Sequence, residues 1–271
     1  MSIEEEASGR RSVTVEVEVP GTPEEVWQAI ATGPGISSWF MPAAFEERDG
    51  TPVALTVSFG PGMEARSEVT AWDAPRMFAK KSDGWIPGSP PMADEWTVET
   101  RGGGMCIIRI VHSLFASTDE WDNQLEATRS AWPAFLRTLQ LYLTHFRDQR
   151  SAIVQVSTPV ACTDAEAWDT LTTALGVKGA SIGQRWTTPA GVPPLGGVVE
   201  YVTESPYDAL LRLDAPTSGI MALGVMTYPG DPGMVAMNLY LYGEQEAGIV
   251  ARQTRVWQVW LAECFPTPTE G

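Results

Sequence analysis

Two stretches of this 271-residue chain begin a helix in the same way. Residues 21–30 read GTPEEVWQAI, and residues 162–171 read CTDAEAWDTL. Thr22, Glu25 and Trp27 return as Thr163, Glu166 and Trp168, each 141 positions later. In both copies the threonine hydroxyl can accept from the unpaired N–H groups that open a helix, and the glutamate three residues on can reach back to the threonine N–H. The first copy adds Pro23, which wastes no N–H at the first helical position, and Glu24, which opposes the positive helix end. A duplicated helix start constrains the fold strongly, because whatever flanks one copy is expected around the other.

The flanks agree with duplication. Ser12–Val19 (SVTVEVEV) sets Val13, Val15, Val17 and Val19 on one face of a half-buried strand, and residues 152–160 form the matching strand ahead of the second copy. After the first copy come a short helical turn at Ile36–Phe40 and strands at 52–59, 63–72, 76–81, 94–100 and 105–112. A long helix is expected from about Thr118 to Phe146, where Trp121, Leu125, Thr128, Trp132, Phe135, Leu139, Tyr142 and Phe146 step by three and four, with a kink at Pro133. After the second copy the pattern gives strands at 184–188, 197–204, 207–213, 219–228 and 234–242. A last helix follows from about Glu244 to Cys264, with Ile249, Gln253, Val256, Trp257, Trp260 and Leu261 on its apolar side. Trp27 to Pro75 spans 48 residues and Trp168 to Pro206 spans 38, so the second copy is shorter by about a hairpin. The expectation is an α+β chain of two tandem domains, residues 1–149 and 150–271, each a curved antiparallel sheet wrapped around a long C-terminal helix.

Composition narrows the partners. Thirteen Lys and Arg face twenty-two Asp and Glu in residues 1–150, and five face twelve in residues 151–271. Both halves therefore repel phosphate backbones and anionic lipid heads, which argues against nucleic acid and membrane surfaces as partners. No apolar run approaches the length of a membrane span. The polar opening MSIEEEASGRRS lacks the apolar core of a secretory signal and is expected to be a disordered arm. Three widely spaced cysteines, Cys106, Cys162 and Cys264, fit neither a disulfide framework nor a zinc knuckle, so a cytoplasmic location is expected. His112 and His145 are too isolated to hold a metal. No glycine cluster opens a helix after a parallel strand, and no nucleophile elbow is present. No cofactor and no catalytic residue is assigned.

Val15–Val19 leading into Thr22-Pro-Glu-Glu-Val-Trp27, and then Ile36-Ser-Ser-Trp-Phe40, resembles the opening of the SRPBCC (START-like, helix-grip) superfamily. Its bacterial branch named after activators of the heat-shock protein 90 ATPase is the nearest in likeness. Ile108-Arg-Ile-Val-His-Ser-Leu-Phe115 resembles that branch's last strand, with Leu114 where glycine is expected, and Ala131–Leu143 is similar to its closing helix. The likeness covers residues 12–147 and is a fainter echo over 151–265. It implies two tandem helix-grip domains and a hydrophobic or aromatic small molecule held between sheet and helix. Two other roles known in the superfamily are a polyketide cyclase/aromatase-like enzyme and a protein-interaction module. The duplication also allows a pseudo-dimer within the chain, or a homodimer.

The residues expected to line the ligand space are Trp39, Phe40, Trp96, Val98, Ile108, Ile110, His112, Trp132, Phe135 and Leu139. His112 continues the face of Cys106, Ile108 and Ile110, which points it toward the space between sheet and helix; a tie to a loop carbonyl is the plainer alternative. His112 and Arg66 form a thin acid–base set for a cyclase. Glu95, Glu99, Asp119, Glu120 and Asp122 read as solvated charge. The first domain is expected to be the ligand site, because Ala65, Ser67, Val69 and Ala71 offer small side chains along one strand face. The Pro- and Gly-rich loop Asp83–Ala93 is expected to act as its lid. In the second domain Ile220, Met221, Leu223, Met226, Met237, Leu239 and Tyr240 are expected to close the equivalent space.

Overall fold

The computed structural model describes residues 4–5, 10–60, 62–83, 90–115, 122–204, 207–227, 233–244 and 248–266, with backbone alone for 4–5, 10 and 122–130. The chain divides into two compact units, Met1–Asp148 and Gln149–Gly271. Each unit holds its own antiparallel sheet, so no sheet runs through the joint.

In the first unit the short β1 (Glu4–Glu5) precedes β2 (Arg10–Pro20), the helices α1 (Pro23–Ile30) and α2 (Gly33–Ser37), and a meander. The meander runs β3 (Ala43–Arg48), β4 (Thr51–Ser58), β5 (Glu64–Asp73), β6 (Met77–Ser82), β7 (Met92–Gly102) and β8 (Met105–Phe115), and α3 (Asp122–His145) closes the unit. The sheet order is β1-β2-β8-β7-β6-β5-β4-β3, so the first long strand pairs with the last. The second unit repeats this plan. Its β9 (Ser151–Val160) and α4 (Asp164–Leu175) lead into β10 (Arg185–Thr187), β11 (Gly196–Glu204), β12 (Tyr207–Ala215), β13 (Gly219–Met226) and β14 (Gly233–Tyr242), and α5 (Ile249–Cys264) ends it. The order β10-β11-β12-β13-β14-β9 again sets the first strand beside the last.

The capped helix starts form as the sequence predicts. In α1 the Glu25 N–H donates to Thr22 Oγ1 at 3.3 Å, and the Thr22 N–H donates to Glu25 Oε2 at 2.8 Å. In α4 the Thr163 and Glu166 pair gives 3.3 and 3.0 Å. Arg147, just past α3, reaches Glu25 at 2.6 Å and joins the end of the last helix to the start of the first. Hydrogen bonding from Thr22, followed by that from Arg147, holds the Glu25 carboxyl below its ordinary range. A second shared tie is not apparent in sequence: Trp39 Nε1 donates to Ala29 O at 3.0 Å, and Trp186 Nε1 donates to Leu175 O at 2.7 Å. Each pins a buried indole to a carbonyl near the end of its unit's capped helix.

Several sequence expectations need correction. The short turn expected at Ile36–Phe40 begins earlier, because Thr32 Oγ1 accepts from the Gly35 N–H at 3.0 Å and caps a helix that includes Gly33-Pro34-Gly35. The segment expected to be a disordered arm instead pairs Glu4 and Glu5 with Ser12 and Arg11 as β1 against β2. Strand β3 is also absent from the sequence expectation; its AAFEER sequence is half-buried at Ala43 and Phe45 and exposed elsewhere, a weak alternation. Asp83–Ala93 is shorter as a loop than expected, since β7 already includes Met92 and Ala93; residues 84–89 of the lid assignment lie outside the described residues. The same holds for Trp121, Asp119 and Glu120, and for the side chains of Asp122, Leu125 and Thr128. Pro133 sits inside α3, a single helix from Asp122 to His145.

In the second unit Trp168, Leu171 and Leu175 of α4, Met221, Leu223, Met237 and Leu239 of the sheet, and Trp257, Trp260 and Leu261 of α5 form one buried cluster. Ile220 and Tyr240 are buried as well, but on the other face of the sheet, since successive strand residues point to opposite sides. Met226 is 38% exposed and Val256 is 40% exposed, so neither closes the core. The buried α5 stripe is Trp257, Trp260 and Leu261, and Val256 falls beside it.

Candidate functional site

Strand alternation in the first unit sets one face of β6, β7 and β8 toward the interior. Along β7 this face carries Met92, Asp94, Trp96 and Val98, and along β8 it carries Cys106, Ile108, Ile110, His112 and Leu114, all buried. Register then fixes what lies side by side. Lys80 pairs with Asp94, Asp94 with His112, and His112 with Val13, so one row across four strands reads Lys80–Asp94–His112–Val13.

That row is a buried polar triad. Lys80 Nζ donates to one carboxylate oxygen of Asp94, and His112 Nδ1 lies against the other. The side chains of Lys80, Asp94 and His112 are 18%, 8% and 5% exposed. Burial by itself would raise the Asp94 carboxyl, but the charges and hydrogen bonds of Lys80 and His112 outweigh it and hold the group well below the usual carboxylate range. A carboxylate only accepts, so Nδ1 of His112 carries the hydrogen of that contact. The other ring nitrogen, Nε2, is buried and has no hydrogen-bond partner among the described residues. The same is true of Nε1 of Trp96, which lies diagonally across from His112 on the neighbouring strand.

Beside the triad stands a cluster of rings. Trp96 meets Trp132 of α3 edge to face at 5.3 Å, and Phe78 stacks on Trp96 at 5.7 Å. Phe40, two residues past the Ser38 that caps α2, touches Phe135 at 4.8 Å, Trp132 at 6.0 Å and Phe59 at 6.1 Å. Phe40, Phe59, Trp132 and Phe135 are only half-buried, although they converge on the interior side of the sheet. Opposing positions on β4 and β5, namely Val57, Ala65 and Val69, are half-buried too. Ala71 does not continue that face. The register shifts between Val69 and Ala71, and Trp72 turns inward to meet Trp27 at 5.1 Å and Phe78 at 5.7 Å.

The ten expected lining residues therefore separate into two groups. Phe40, Trp96, His112, Trp132 and Phe135 come together around the half-open ring cluster and the triad. Trp39, Ile108, Ile110 and Leu139 are sealed at 0–1% exposure, and Val98 at 6% lies where β7 meets α1. The suggested partner Arg66 is turned away: it is exposed and makes a two-pronged contact with Glu46 at 3.0 and 2.8 Å. His112 is tied to a carboxylate and not to a loop carbonyl. Lys80 and Asp94 were overlooked in the sequence, although each interrupts an apolar face, Lys80 after Phe78 and Asp94 ahead of Trp96 and Val98.

Two grooves lie apart from this cluster. One of about 620 Å³ in the second unit is bordered by Val160, Cys162, Asp164, Tyr207 and Thr227, with Thr227 Oγ1 donating to Asp164 at 2.5 Å. Another of about 520 Å³ in the first unit runs past Pro23, Glu24, Arg76, Thr97 and Glu99. Neither brings buried charge and aromatic rings together. Among the described residues no group of three or more His, Cys, Asp or Glu is arranged to hold a metal, and no helix is long and apolar enough to cross a membrane.

With this geometry in view, comparison with known proteins is informative for the first unit. Residues 10–140 match the family described as polyketide cyclase / dehydrase and lipid transport. The first unit belongs to the SRPBCC superfamily. Its tandem partner follows the same strand order, so the chain is a pair of helix-grip domains. No curated protein matches the chain. Among solved structures, the di-domain ARO/CYC protein BexL from the BE-7585A biosynthetic pathway is 13% identical, with 93% of this chain and 92% of that one covered and a TM-score of 0.43. CalU16 from Micromonospora echinospora is 17% identical over 53% of this chain and 83% of its own, with a TM-score of 0.41. The Aha1 dimer from Colwellia psychrerythraea is 18% identical over 49% and 95%, with a TM-score of 0.37. The family match over residues 10–140 supports a ligand-binding or cyclase-like role for the first unit.

Proposed function

We propose that the SRPBCC unit binds an apolar, ring-bearing small molecule in a cleft between the inner face of its sheet and α3. The observation that carries this reading is the half-open ring set Phe40, Phe59, Trp132 and Phe135, together with half-buried Ala65 and Val69, which share the strand face of Val57 and Lys80. A folded core normally packs such surface away from water, at about 25 cal/mol per Å² of apolar area. Rings left partly open around an interior face are the usual lining of a small-molecule site. The second unit has the opposite character, with Met221, Met237 and Trp257 at 0% exposure, and acts in this reading as a closed structural partner. Titration of the full chain with Nile red is expected to give a fluorescence rise that Trp132→Ala or Phe40→Ala weakens about tenfold, the scale of one buried ring contact. Binding unchanged in both variants would remove the cleft assignment.

A second reading, acid–base chemistry on the bound molecule, is favoured by one observation: the carboxylate-backed imidazole of His112 beside the rings. Such a dyad can move a proton at Nε2 while Asp94 stabilises the imidazolium that forms. It predicts that the protein speeds deuterium exchange next to the carbonyl of 2-tetralone, and that His112→Gln abolishes the effect. Exchange at the buffer rate would leave binding as the sole role.

A further inference from the structure

Two polar atoms on this inner face have no hydrogen-bond partner among the described residues, and their residues are diagonal neighbours in the sheet. His112 Nε2 and Trp96 Nε1 are both buried and both unbonded. Asp94 pairs with His112 and Trp96 with Ile110, so Trp96 and His112 are diagonal neighbours on one face. Diagonal positions on adjacent strands are about 7–8 Å apart, within reach of long side chains. The chemistry of the two atoms differs. An indole N–H only donates. In the neutral form of the ring, with Lys80 already balancing the Asp94 charge, the Nδ1–H of His112 donates to Asp94 and Nε2 offers a lone pair. The patch lacks one donor and one acceptor.

No described residue supplies them, yet much of the structure holds them in place. Asp94 fixes the tautomer and angle of the imidazole, and Lys80 occupies the second carboxylate oxygen, so Asp94 cannot turn away. Phe78 and Trp132 pack on the Trp96 ring from two sides. Val13 at the end of the triad row packs with Met92 and Leu114 of the next row, where Arg11 is the neighbour of Leu114. An orphaned buried polar atom costs free energy, and two in a preorganised patch beside half-open rings are accounted for when a ligand completes them.

We propose that the ligand of this cleft is an aryl alcohol: its hydroxyl donates to His112 Nε2, and its oxygen, or a carbonyl next to it, accepts from Trp96 Nε1. Asp94 and Lys80 are positioning residues. This rests on the cleft reading above and adds the polar end of the ligand. A phenol suits the site better than an aliphatic alcohol. Its flat ring matches the near-parallel rings of Trp132 and Phe40, 19° apart in plane, and its more acidic O–H makes the stronger hydrogen bond to a carboxylate-backed imidazole.

The test uses the full chain and two probes of like shape, 2-naphthol and 2-methylnaphthalene, followed by calorimetry. The native protein is expected to prefer 2-naphthol by about tenfold to a hundredfold, the range set by leaving a buried polar group unpaired. His112→Phe and Trp96→Phe should each cut that preference severalfold, read as the ratio of the two probe affinities within each variant. Lys80→Met should reduce the preference in part and alter its pH profile, a change that a merely structural role would not produce. Because substitution can disturb folding, the native protein supplies a second readout. It has two histidines, so the imidazole 15N signals are assigned with His145→Gln alone. Naphthol should move Nε2 of His112, and methylnaphthalene should not. Equal affinity for both probes, or an unmoved Nε2, overturns this inference and leaves the cleft standing. Failure of both probes to bind overturns the cleft and the inference together.

Discussion

Removing the centre of the triad gives a sharp test of its energetics. Asp94→Ala deletes the acceptor for both Lys80 and His112, whose side chains are 18% and 5% exposed. Breaking a buried ion pair from one side strands the remaining charge, at a cost of about 3–5 kcal/mol. Lys80→Met also leaves a buried charge, but Asp94 keeps the His112 contact, so a cost at the lower end of that range, about 3 kcal/mol, is expected. Replacing all three by apolar groups, as Lys80→Met, Asp94→Leu and His112→Phe together, removes both the desolvation cost and the attraction, and should lie within about 2 kcal/mol of the native protein. The pH dependence has a definite sign. Asp94 is held below its ordinary range when folded, so its stabilisation is present above the unfolded value of about 3.9 and is lost as pH falls through and below it. The gap between native protein and Asp94→Ala should be full near pH 7 and close steadily below about pH 4. Urea unfolding followed by tryptophan fluorescence reads both quantities. A cost below about 1 kcal/mol, or one independent of pH, would refute the argument, as would a triple variant weaker than Asp94→Ala.

Two further perturbations separate core from cleft and test the helix pair. Trp257→Ala should destabilise the chain by about 3–5 kcal/mol, because the ring is fully enclosed; Trp132→Ala should cost clearly less stability while weakening ligand binding, and the reverse ranking in urea unfolding would contradict the division of roles. Gly35→Ala would place a Cβ 1.9 Å from Gln28 O and 2.9 Å from Ala29 Cα, both backbone atoms of α1. The two helices must then separate, at more than about 2 kcal/mol, and a thermal midpoint unchanged from the native protein would rule out that packing.

The architecture was legible because its signals are local. Thr22–Glu25 and Thr163–Glu166 announce their helices within four residues, and the alternation in β2 and β9 needs no partner to be recognised. The triad was not legible in the same way. Lys80, Asp94 and His112 are separated by two hairpins, and their alignment depends on the register of β6 with β7 and β7 with β8. The bulge after Val69 exchanges Ala71 for Trp72 on the inner face, a one-residue shift that a strict alternation rule misplaces. A charged residue on an apolar face was the available clue, at Lys80 and again at Asp94. Both were passed over because neither sits in a motif.

The central claim is that the SRPBCC unit holds the ligand while the second unit is filled by its own core. Indole N–H NMR of the full chain during titration with 2-naphthol tests it most directly, since tryptophans stand in both places. The account predicts that the signals of Trp96 and Trp132 shift with ligand while those of Trp168, Trp186, Trp257 and Trp260 stay still. Movement confined to the second group, with Trp96 and Trp132 unchanged, would contradict it.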